Sequence, residues 1–448
     1  MTILEEWKAN KDKCPIIIKG LRQIGKTYIV SEFCKKNYEN AYILDFRKQV
    51  SIHSIFDGDF NIDNIVSLIS SLSDENKIIK SSKMIPYKTA IVFDELQDCP
   101  NARSSLKYFR EDGRYDIICT GSLMGIKGYK ITKEKSRGIA VGSEEQIEMK
   151  SMDFEEFLWA NEVDDTIIEQ LKQCLDEKKE APALYHQQFL DWVNRYIVIG
   201  GLPDVVKKYI ETKDYGEVRK IQKRIISNYE SDFGTHLNDN NEIVVDEVER
   251  SRIMDVFRSI PMQLAKDNKK FMYSVISHHA KGRSHASSIT WLRDYGLITL
   301  SHNLSLIDKP LDYFSIEEQF KVYMSDIGLL TAMLEKSTQY RVLTNDLDIG
   351  KGMIYENLIS DALTKNDKKQ YYYSKDSGLE IDFVIELEGD NCLVEVKATK
   401  GTTKSSNVVL KDSKNKVNKL LKLTSQNISL VDNKFTVPYY LAFYVLSK

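Results

Sequence analysis

A strand, a glycine-rich turn and a helix follow one another near the start of the chain. The turn is the sequence GLRQIGKT at residues 20–27, which comes directly after the apolar residues 16–18 and opens a helical pattern. Glycines let such a turn curl so that its backbone N–H groups point to one centre at the helix N-terminus, where they cradle phosphate oxygens. The spacing is the full phosphate-binding loop signature. It predicts a nucleotide site, and the alternative is a structural glycine turn.

The same signature assigns roles to the side chains that close the loop. We expect Lys26 to offer its ammonium to the β- and γ-phosphates of ATP, and Thr27 to give its hydroxyl to Mg²⁺. The loop residues expected to line the nucleotide with them are Gly20, Arg22, Gln23, Ile24 and Gly25.

A second apolar strand, at residues 89–93, ends in two adjacent carboxylates. We expect Asp94 to hold the Mg²⁺ shell and Glu95 to orient or deprotonate the attacking water. A later strand candidate runs into Thr120-Gly121-Ser122, and the hydroxyls of Thr120 and Ser122 are predicted to sense the γ-phosphate. A solvated strand end is the alternative for the carboxylate pair.

Several segments besides the loop resemble a family of prokaryotic AAA+-type ATPases. They are IVFDELQDCP, ICTGS, MDFEEFLWA at 152–160 and YIVIGGLPDVV at 196–206. The resemblance spans almost the whole chain and implies ATP binding and hydrolysis. It also implies a winged-helix region and a C-terminal domain similar to restriction endonucleases, a likeness carried by residues 321–330 and the block from 352 onward. No arginine finger can be assigned among Arg22, Arg47, Arg137 and the other arginines.

The order of strand and helix patterns predicts an α/β fold in four parts. Short β-branched runs alternate with helical patterns over residues 15–150, which indicates a parallel sheet. We expect a P-loop AAA+-type core at 1–160, a helical subdomain at 161–250, a winged-helix-like region at 251–335 and a nuclease-like α/β domain at 345–448. The last part should end in a strand at 439–445. In the winged-helix region Arg283, His285 and Arg293 either approach a phosphate or belong to a packing module.

Residues 380–397 have the pattern of a β-hairpin with charged groups on one face. If Glu388 pairs with Asn391 around Gly389-Asp390, then Asp382 faces Lys397 directly, with Glu395 on the same side. Two carboxylates that bind Mg²⁺ beside a lysine that activates water are what a metal-dependent phosphodiesterase needs. The alternative is an exposed hairpin with a salt bridge between Asp382 and Lys397.

This hairpin is similar to the PD-(D/E)xK nuclease signature, with Glu395-Val396-Lys397 as its second half. Glu356, in the helical stretch 352–364, matches the upstream glutamate that often joins such sites as a metal ligand. The proline of the literal motif is absent. The resemblance implies the fold and leaves open whether the site cleaves.

Charge is balanced overall and uneven locally. The chain has 63 Lys plus Arg against 66 Asp plus Glu, which excludes a bulk polycation, so a nucleic-acid contact needs a local patch. Residues 397–422 supply one, with eight lysines against Asp412. Such a stripe suits a DNA or RNA backbone. The alternative is a helix whose lysine face is solvated and whose buried face carries Val417, Leu420 and Leu421.

The remaining composition favours a cytoplasmic protein. Six separated cysteines form no CxxC pair, as expected for reduced thiols, and His278 and His279 lack neighbours at metal-ligand spacing. No run of about 18 apolar residues predicts a membrane span.

We therefore expect an ATPase that uses ATP and Mg²⁺ and acts on nucleic acid through its C-terminal domain. Two alternatives stay open: an ATP-dependent regulatory switch whose C-terminal domains dock a partner, and a nucleic-acid-binding ATPase without cleavage. The sequence does not distinguish DNA from RNA, and a homo-oligomer is compatible with it.

Overall fold

The computed structural model describes residues 1–79, 84–123, 142–237, 243–266, 269–276, 282–346, 350–398 and 403–448, without the side chains of 236, 237, 243, 244 and 282–284. The chain divides into two compact units. The first is Met1–Lys150 with Asp294–Gly296, and the second is Ser151–Arg293 with Leu297–Lys448. In the described ranges, no helix has the length and apolar character that crossing a bilayer requires.

A six-stranded sheet forms the centre of the first unit. Its strands are β1 Ile16–Gly20, β2 Asn40–Asp45, β3 Lys77–Ile79, β4 Thr89–Asp94, β5 Asp116–Ser122 and β6 Glu145–Met149. Their order across the sheet is β3-β2-β4-β5-β1-β6, and every pairing is parallel except that of β3 with β2. Strand β5 therefore separates β1 from β4, and the carboxyl ends of all three meet at one edge, where ligands bind in open parallel sheets.

Apolar residues bury both faces of this sheet. The helices of this unit are α1 Thr2–Ala9, α2 Lys26–Asn37, α3 Ile62–Ser70 and α4 Pro100–Asp112. One core contains Phe93 with Phe109 of α4, and the other contains Val92 with Phe33 of α2. All of β4 is buried, as in parallel sheets covered on both sides. The predicted α/β core with a P-loop sheet is confirmed.

The second unit begins with helices. They are α5 Phe154–Ala160, α6 Asp165–Asp176, α7 Ala183–Ile199, α8 Pro203–Thr212 and α9 Tyr215–Asp232, followed by the hairpin of β7 Thr235–Leu237 with β8 Ile243–Val245, then α10 Glu247–Leu264 and α11 Gly282–Tyr295. This run of helices follows the first sheet along the chain, and the helical subdomain at 161–250 stays a prediction.

An eight-stranded sheet completes the second unit, in the order β10-β9-β11-β12-β13-β14-β16-β15. Its strands are β9 Ile298–Leu304, β10 Ser315–Met324, β11 Tyr371–Ser374, β12 Glu380–Leu387, β13 Asp390–Lys397, β14 Lys419–Thr424, β15 Ser429–Val431 and β16 Lys434–Pro438. The helices are α12 Ile327–Met333, α13 Lys336–Leu343, α14 Lys351–Lys365, α15 Lys404–Lys411 and α16 Ala442–Leu446.

The hairpin of β9 and β10 belongs to this larger sheet. Strand β9 pairs in parallel with β11, so Tyr371 lies opposite His302. This hairpin lies within the region 251–335 that sequence analysis expected to be winged-helix-like, and in the structure its strands are continuous with those of the C-terminal region. A sequence pattern shows where strands occur, but it does not show which other strand the edge of a hairpin pairs with.

Two local predictions near the C-terminus are wrong. Residues 439–445 form a short 3₁₀ turn and α16 rather than a strand, because a brief apolar run fits either conformation. The lysine-rich stretch is not one helix either. It contains α15, a turn and β14, so Leu420 and Leu421 lie on opposite faces of a strand and both are buried.

Gly201 fixes a close approach of α7 to the segment before α5. A Cβ atom on Gly201 would lie 1.9 Å from the carbonyl oxygen of Met152. The Asp326 carboxylate fastens the same place, since Oδ2 accepts hydrogen bonds from the Gly201 N–H at 2.9 Å and from the Ser151 hydroxyl at 3.1 Å. Only a residue without a side chain fits here.

We expect Gly201→Ala to lower the free energy of unfolding by about 2 kcal/mol or more, because the backbone of Met152 would have to move. The measurement is denaturant unfolding followed by circular dichroism. Gly58→Ala is the control, since nothing lies within 4 Å of a Cβ there. Equal midpoints for the two variants would contradict this account of the packing.

Candidate functional site

The phosphate-binding loop joins β1 to α2. Gly25 precedes α2 with φ of 85°, and Gln23 has φ of 66°, so two loop residues occupy the left-handed region. A Cβ atom on Gly20 would lie 2.4 Å from the carbonyl oxygen of Met149, so the loop can pass β6 this closely only with glycine. Ile24 is buried, whereas Arg22 and Gln23 are more exposed. The backbone curl predicted for this segment is present.

Lys26 lies inside its own loop. Its Nζ donates to the carbonyl oxygens of Gly20 at 3.1 Å and Leu21 at 2.9 Å. Burial lowers the pKa of Lys26 to about 8, although the nearby carboxylates of Glu95 and Asp94 act in the opposite direction. The ammonium is therefore poorly compensated, and a triphosphate in the loop would supply the missing negative charge.

The Asp94 carboxylate accepts hydrogen bonds from hydroxyl groups of two other elements. The Thr27 hydroxyl, at the start of α2, donates to Oδ1 at 3.0 Å, and the Thr120 hydroxyl on β5 donates to the same oxygen. Burial raises the pKa of Asp94, and these two hydrogen bonds oppose that rise. A hydroxyl and a carboxylate at this spacing are the oxygen ligands that Mg²⁺ takes in nucleotide sites, so Thr27 and Asp94 fit the predicted cation.

Glu95 is held by side chains of its own chain. It has φ of 54° directly after β4, and its Oε2 accepts hydrogen bonds from Gln97 at 2.6 Å and from Arg47 at 2.9 Å. Arg47 also pairs with Asp98 at 2.9 Å. Sequence analysis listed Arg47 without a role, and the signal it lacked was that β2 and β4 are neighbours, which brings the ends of these strands together.

The remaining predicted nucleotide residues lie at the same edge. Ser122 ends β5 directly beside Gly20 in the strand register. Thr120, which contacts Asp94, lies two residues earlier. Arg137 lies outside the described residues.

The second candidate site is on the β12–β13 hairpin, where the predicted register is wrong by two residues. Phe383 pairs with Val394 and Glu386 with Asn391, so Asp382 lies across from Glu395 rather than Lys397. The turn residues are Glu388 and Gly389, with φ of 53° and 77°. Two left-handed residues make a two-residue hairpin turn, and glutamate is not a residue type from which this conformation would be predicted.

The corrected register still brings the three predicted side chains together. Lys397 Nζ lies 3.3 Å from Asp382 Oδ2 and 2.5 Å from Glu395 Oε2. The Val396 N–H donates to Asp382 at 2.8 Å, and the Ser406 hydroxyl of α15 donates to Glu395. Both carboxylates are buried, whereas the Lys397 side chain is 25% exposed. Solvent therefore reaches the cluster from the lysine side.

The pKa values of Glu395 and Lys397 are both raised in this cluster. Burial raises the pKa of Glu395, and the Asp382 charge raises it further. Burial opposes the charge on Lys397, but the attraction of both carboxylates outweighs it, so the pKa of Lys397 is raised. The two carboxylates therefore favour the charged form of Lys397.

Glu356 on α14 lies near the hairpin cluster, since burial and then the Asp382 charge raise its pKa, but its side chain is held by other groups. It forms an ion pair with Lys269, lies 3.8 Å from Lys321 Nζ, and accepts a hydrogen bond from the Tyr323 hydroxyl at 3.3 Å. Sequence analysis missed Lys321, which is fully buried on β10 and also pairs with Glu380 at 2.6 Å. The sequence did contain a signal for Lys321, namely a lysine next to the apolar residues of this strand.

Two of the three predicted metal ligands of this region, Asp382 and Glu395, lie together on the hairpin. In the part of the chain that the structure describes, no three His, Cys, Asp or Glu side chains form a group suited to a metal ion. Asp382 and Glu395 supply two carboxylates that converge on Lys397, and the predicted third ligand, Glu356, is bound by lysines.

The other candidate residues give no further site. His285 on α11 is buried, Arg293 lies in the last turn of the same helix, and the side chain of Arg283 is outside the described residues. His278, His279 and Lys400 also fall outside them.

Family models match three successive parts of the chain. Residues 12–158 match the AAA domain, residues 190–340 match a domain of unknown function (DUF8612), and residues 351–442 match another (DUF4143). The N-terminal part is therefore similar to P-loop domains of the AAA type. No protein of curated function matches the sequence.

Similarity to solved structures is distant. The ORC2 protein of Aeropyrum pernix is 13% identical, with a TM-score of 0.31 over 77% of this chain and 90% of that one. The DNA-bound ORC of Drosophila is 11% identical, with a TM-score of 0.25 over 77% and 94%. A STAND ATPase with a tetratricopeptide repeat sensor from Pyrococcus horikoshii is 13% identical, with a TM-score of 0.24 over 81% and 48%. No functional statement follows from similarity at this level.

We expect ATP binding to take up part of a proton at about pH 8.5, because a triphosphate beside Lys26 raises a pKa that burial has lowered to about 8. Calorimetric titration with MgATP in two buffers of different ionisation enthalpy measures the uptake. At about pH 7 it should be much smaller, since Lys26 is then mostly protonated before ATP binds. Heats that do not depend on the buffer at the higher pH would contradict the assignment.

Proposed function

We propose that the chain binds ATP with Mg²⁺ and hydrolyses it at the edge formed by β1, β4 and β5. The observation that carries this proposal is the Asp94 carboxylate, which accepts hydrogen bonds from both Thr27 and Thr120. It supports the proposal because a carboxylate suited to a cation, a hydroxyl of the loop and a hydroxyl of β5 come together beside the phosphate loop. Lys26 and Glu95 complete the groups that phosphoryl transfer to water requires.

Each side chain has a distinct task in this reaction. Lys26 exchanges the loop carbonyls for phosphate oxygens, while Thr27 and Asp94 hold Mg²⁺. When bound, the cation neutralises the phosphate charge that develops during transfer. Glu95 orients water, and for this its carboxylate must exchange a hydrogen bond from Arg47 or Gln97 for one from the water.

We further propose that the C-terminal sheet acts on a DNA or RNA backbone. The cluster of Asp382, Glu395 and Lys397 supports this, as does the similarity of its sequence to the PD-(D/E)xK pattern. In this proposal the region 345–448 is a nuclease-like α/β domain and the region 251–335 is winged-helix-like. They follow an ATPase core at 1–160 and a helical subdomain at 161–250. The protein works in the cytoplasm, and a homo-oligomer is compatible with its ATPase type.

Binding without cleavage is the second candidate for the same domain. One observation favours it: Lys269 and Lys321 engage Glu356, so a third carboxylate is not free to join Asp382 and Glu395. In that case nucleotide turnover at the first unit would regulate the docking of a nucleic acid or protein partner.

We expect Glu95→Gln to keep ATP affinity within about threefold and to lower the hydrolysis rate at least about 100-fold, because the amide cannot accept a proton from water. Binding is measured by calorimetry and turnover by phosphate release. The control is Glu111→Gln, an exposed glutamate of α4 in the same unit. A turnover equal to that of the unaltered protein would place the base elsewhere.

Any cleavage of DNA or RNA in Mg²⁺ or Mn²⁺ should disappear in Glu395→Gln while ATP hydrolysis persists, because the substitution removes a charge from the hairpin cluster. Glu386→Gln is the matched control, since Glu386 is an exposed glutamate on β12 of the same hairpin. Gel analysis of labelled substrates measures the cleavage. Binding by the unaltered protein without cleavage would select the second candidate, and cleavage that survives in Glu395→Gln would reject this site.

A further inference from the structure

Lys422, in the middle of β14, is a buried cation without an acidic partner. The residue is 6% exposed, and its Nζ donates to the Gln426 side-chain oxygen at 3.0 Å. Within the described residues, no carboxylate lies at ion-pair distance from it. Lysines are rarely buried without a partner, because removing an ammonium from water is costly unless a negative charge compensates it.

The strand register places Lys422 beside the hairpin cluster. Glu395 on β13 lies opposite Lys422 on β14, and Lys422 lies opposite Thr436 on β16. Residues opposite each other in neighbouring strands point to the same face of the sheet. With Asp382 across from Glu395, a row of polar side chains therefore crosses four adjacent strands of the sheet.

The charges around Lys422 are mostly positive. Burial lowers the pKa of Lys422, and the ammonium groups of Lys434 and Lys397 lower it further, while the Glu395 charge acts in the opposite direction. The carboxylate of Glu395 is already bound by Lys397 and Ser406. The Lys422 charge is therefore poorly compensated within the row.

We propose that Lys422 and Gln426 form an anion-binding subsite that takes a phosphate group of a nucleic-acid backbone beside Asp382 and Glu395. The ammonium would donate to the phosphate oxygens, and the Gln426 amide, whose oxygen already accepts from Lys422, would add a second donor. This subsite deepens the proposed action on nucleic acid and rests on it. It accounts for a buried charge that packing alone does not explain.

The direct test is the affinity of the full-length chain for labelled single-stranded and double-stranded oligonucleotides, measured by fluorescence anisotropy in EDTA. We expect Lys422→Met to weaken binding at least about tenfold, since it removes a charge-assisted hydrogen bond. Lys336→Met, at an exposed lysine of α13 outside the basic stretch, is the control and should change affinity by less than about threefold.

Thermal unfolding distinguishes binding from structure. A lysine that serves a ligand should leave the melting temperature of Lys422→Met unchanged or higher, because a poorly compensated buried charge is removed. If Lys422→Met does not fold, Lys422→Gln replaces it in both assays. Equal oligonucleotide affinity in the Lys422 variant and the unaltered protein would overturn the subsite and leave the proposed function standing.

If the unaltered chain binds no oligonucleotide, the proposed action on nucleic acid is rejected. A second measurement then tests the anion subsite by itself. Lys26→Ala removes the lysine of the P-loop, and inorganic phosphate is then titrated against the melting temperature. The subsite predicts stabilisation of Lys26→Ala that is lost in Lys26→Ala with Lys422→Met. An identical response of the two proteins would overturn the subsite itself.

Discussion

One carboxylate organises the nucleotide-binding edge of the first sheet. Asp94 ends β4 and accepts hydrogen bonds from Thr27 at the start of α2 and from Thr120 on β5. The strand order makes this convergence possible, because β5 lies between β1 and β4 and brings three chain segments to one point. The buried carboxylate keeps its oxygens directed at the phosphate loop, and the placement of Lys26 and Glu95 around a nucleotide depends on it.

The second unit depends on how it balances buried charge. Glu356 is compensated by Lys269 and Lys321, and Asp382 with Glu395 is compensated by Lys397. Glu356, Lys321, Asp382 and Glu395 are buried, so each of these pairs is costly to break once it is formed. Lys422 is an exception, because it is buried and no carboxylate pairs with it among the described residues. Such a buried charge does not stabilise the fold, so it points to a role in binding.

Much of the first site could be predicted from sequence because its geometry is local. The loop at residues 20–27 needs only the chain between β1 and α2, and Asp94 and Glu95 follow a strand that periodicity reveals. The contact of Arg47 with Glu95 could not be predicted, because it depends on β2 and β4 being neighbours in the sheet. In the second unit the charged hairpin face was predicted, but its register depended on a left-handed Glu388, and the lysines at Glu356 came from distant segments.

The most direct test of the nucleotide site is phosphate release from ATP by the full chain, in Mg²⁺ and in EDTA, with Lys26→Ala beside the unaltered protein. The account predicts turnover that requires Mg²⁺ and falls at least about 100-fold in Lys26→Ala, because the phosphates lose their principal positive charge. Turnover that survives in Lys26→Ala, or that proceeds equally well in EDTA, would contradict it.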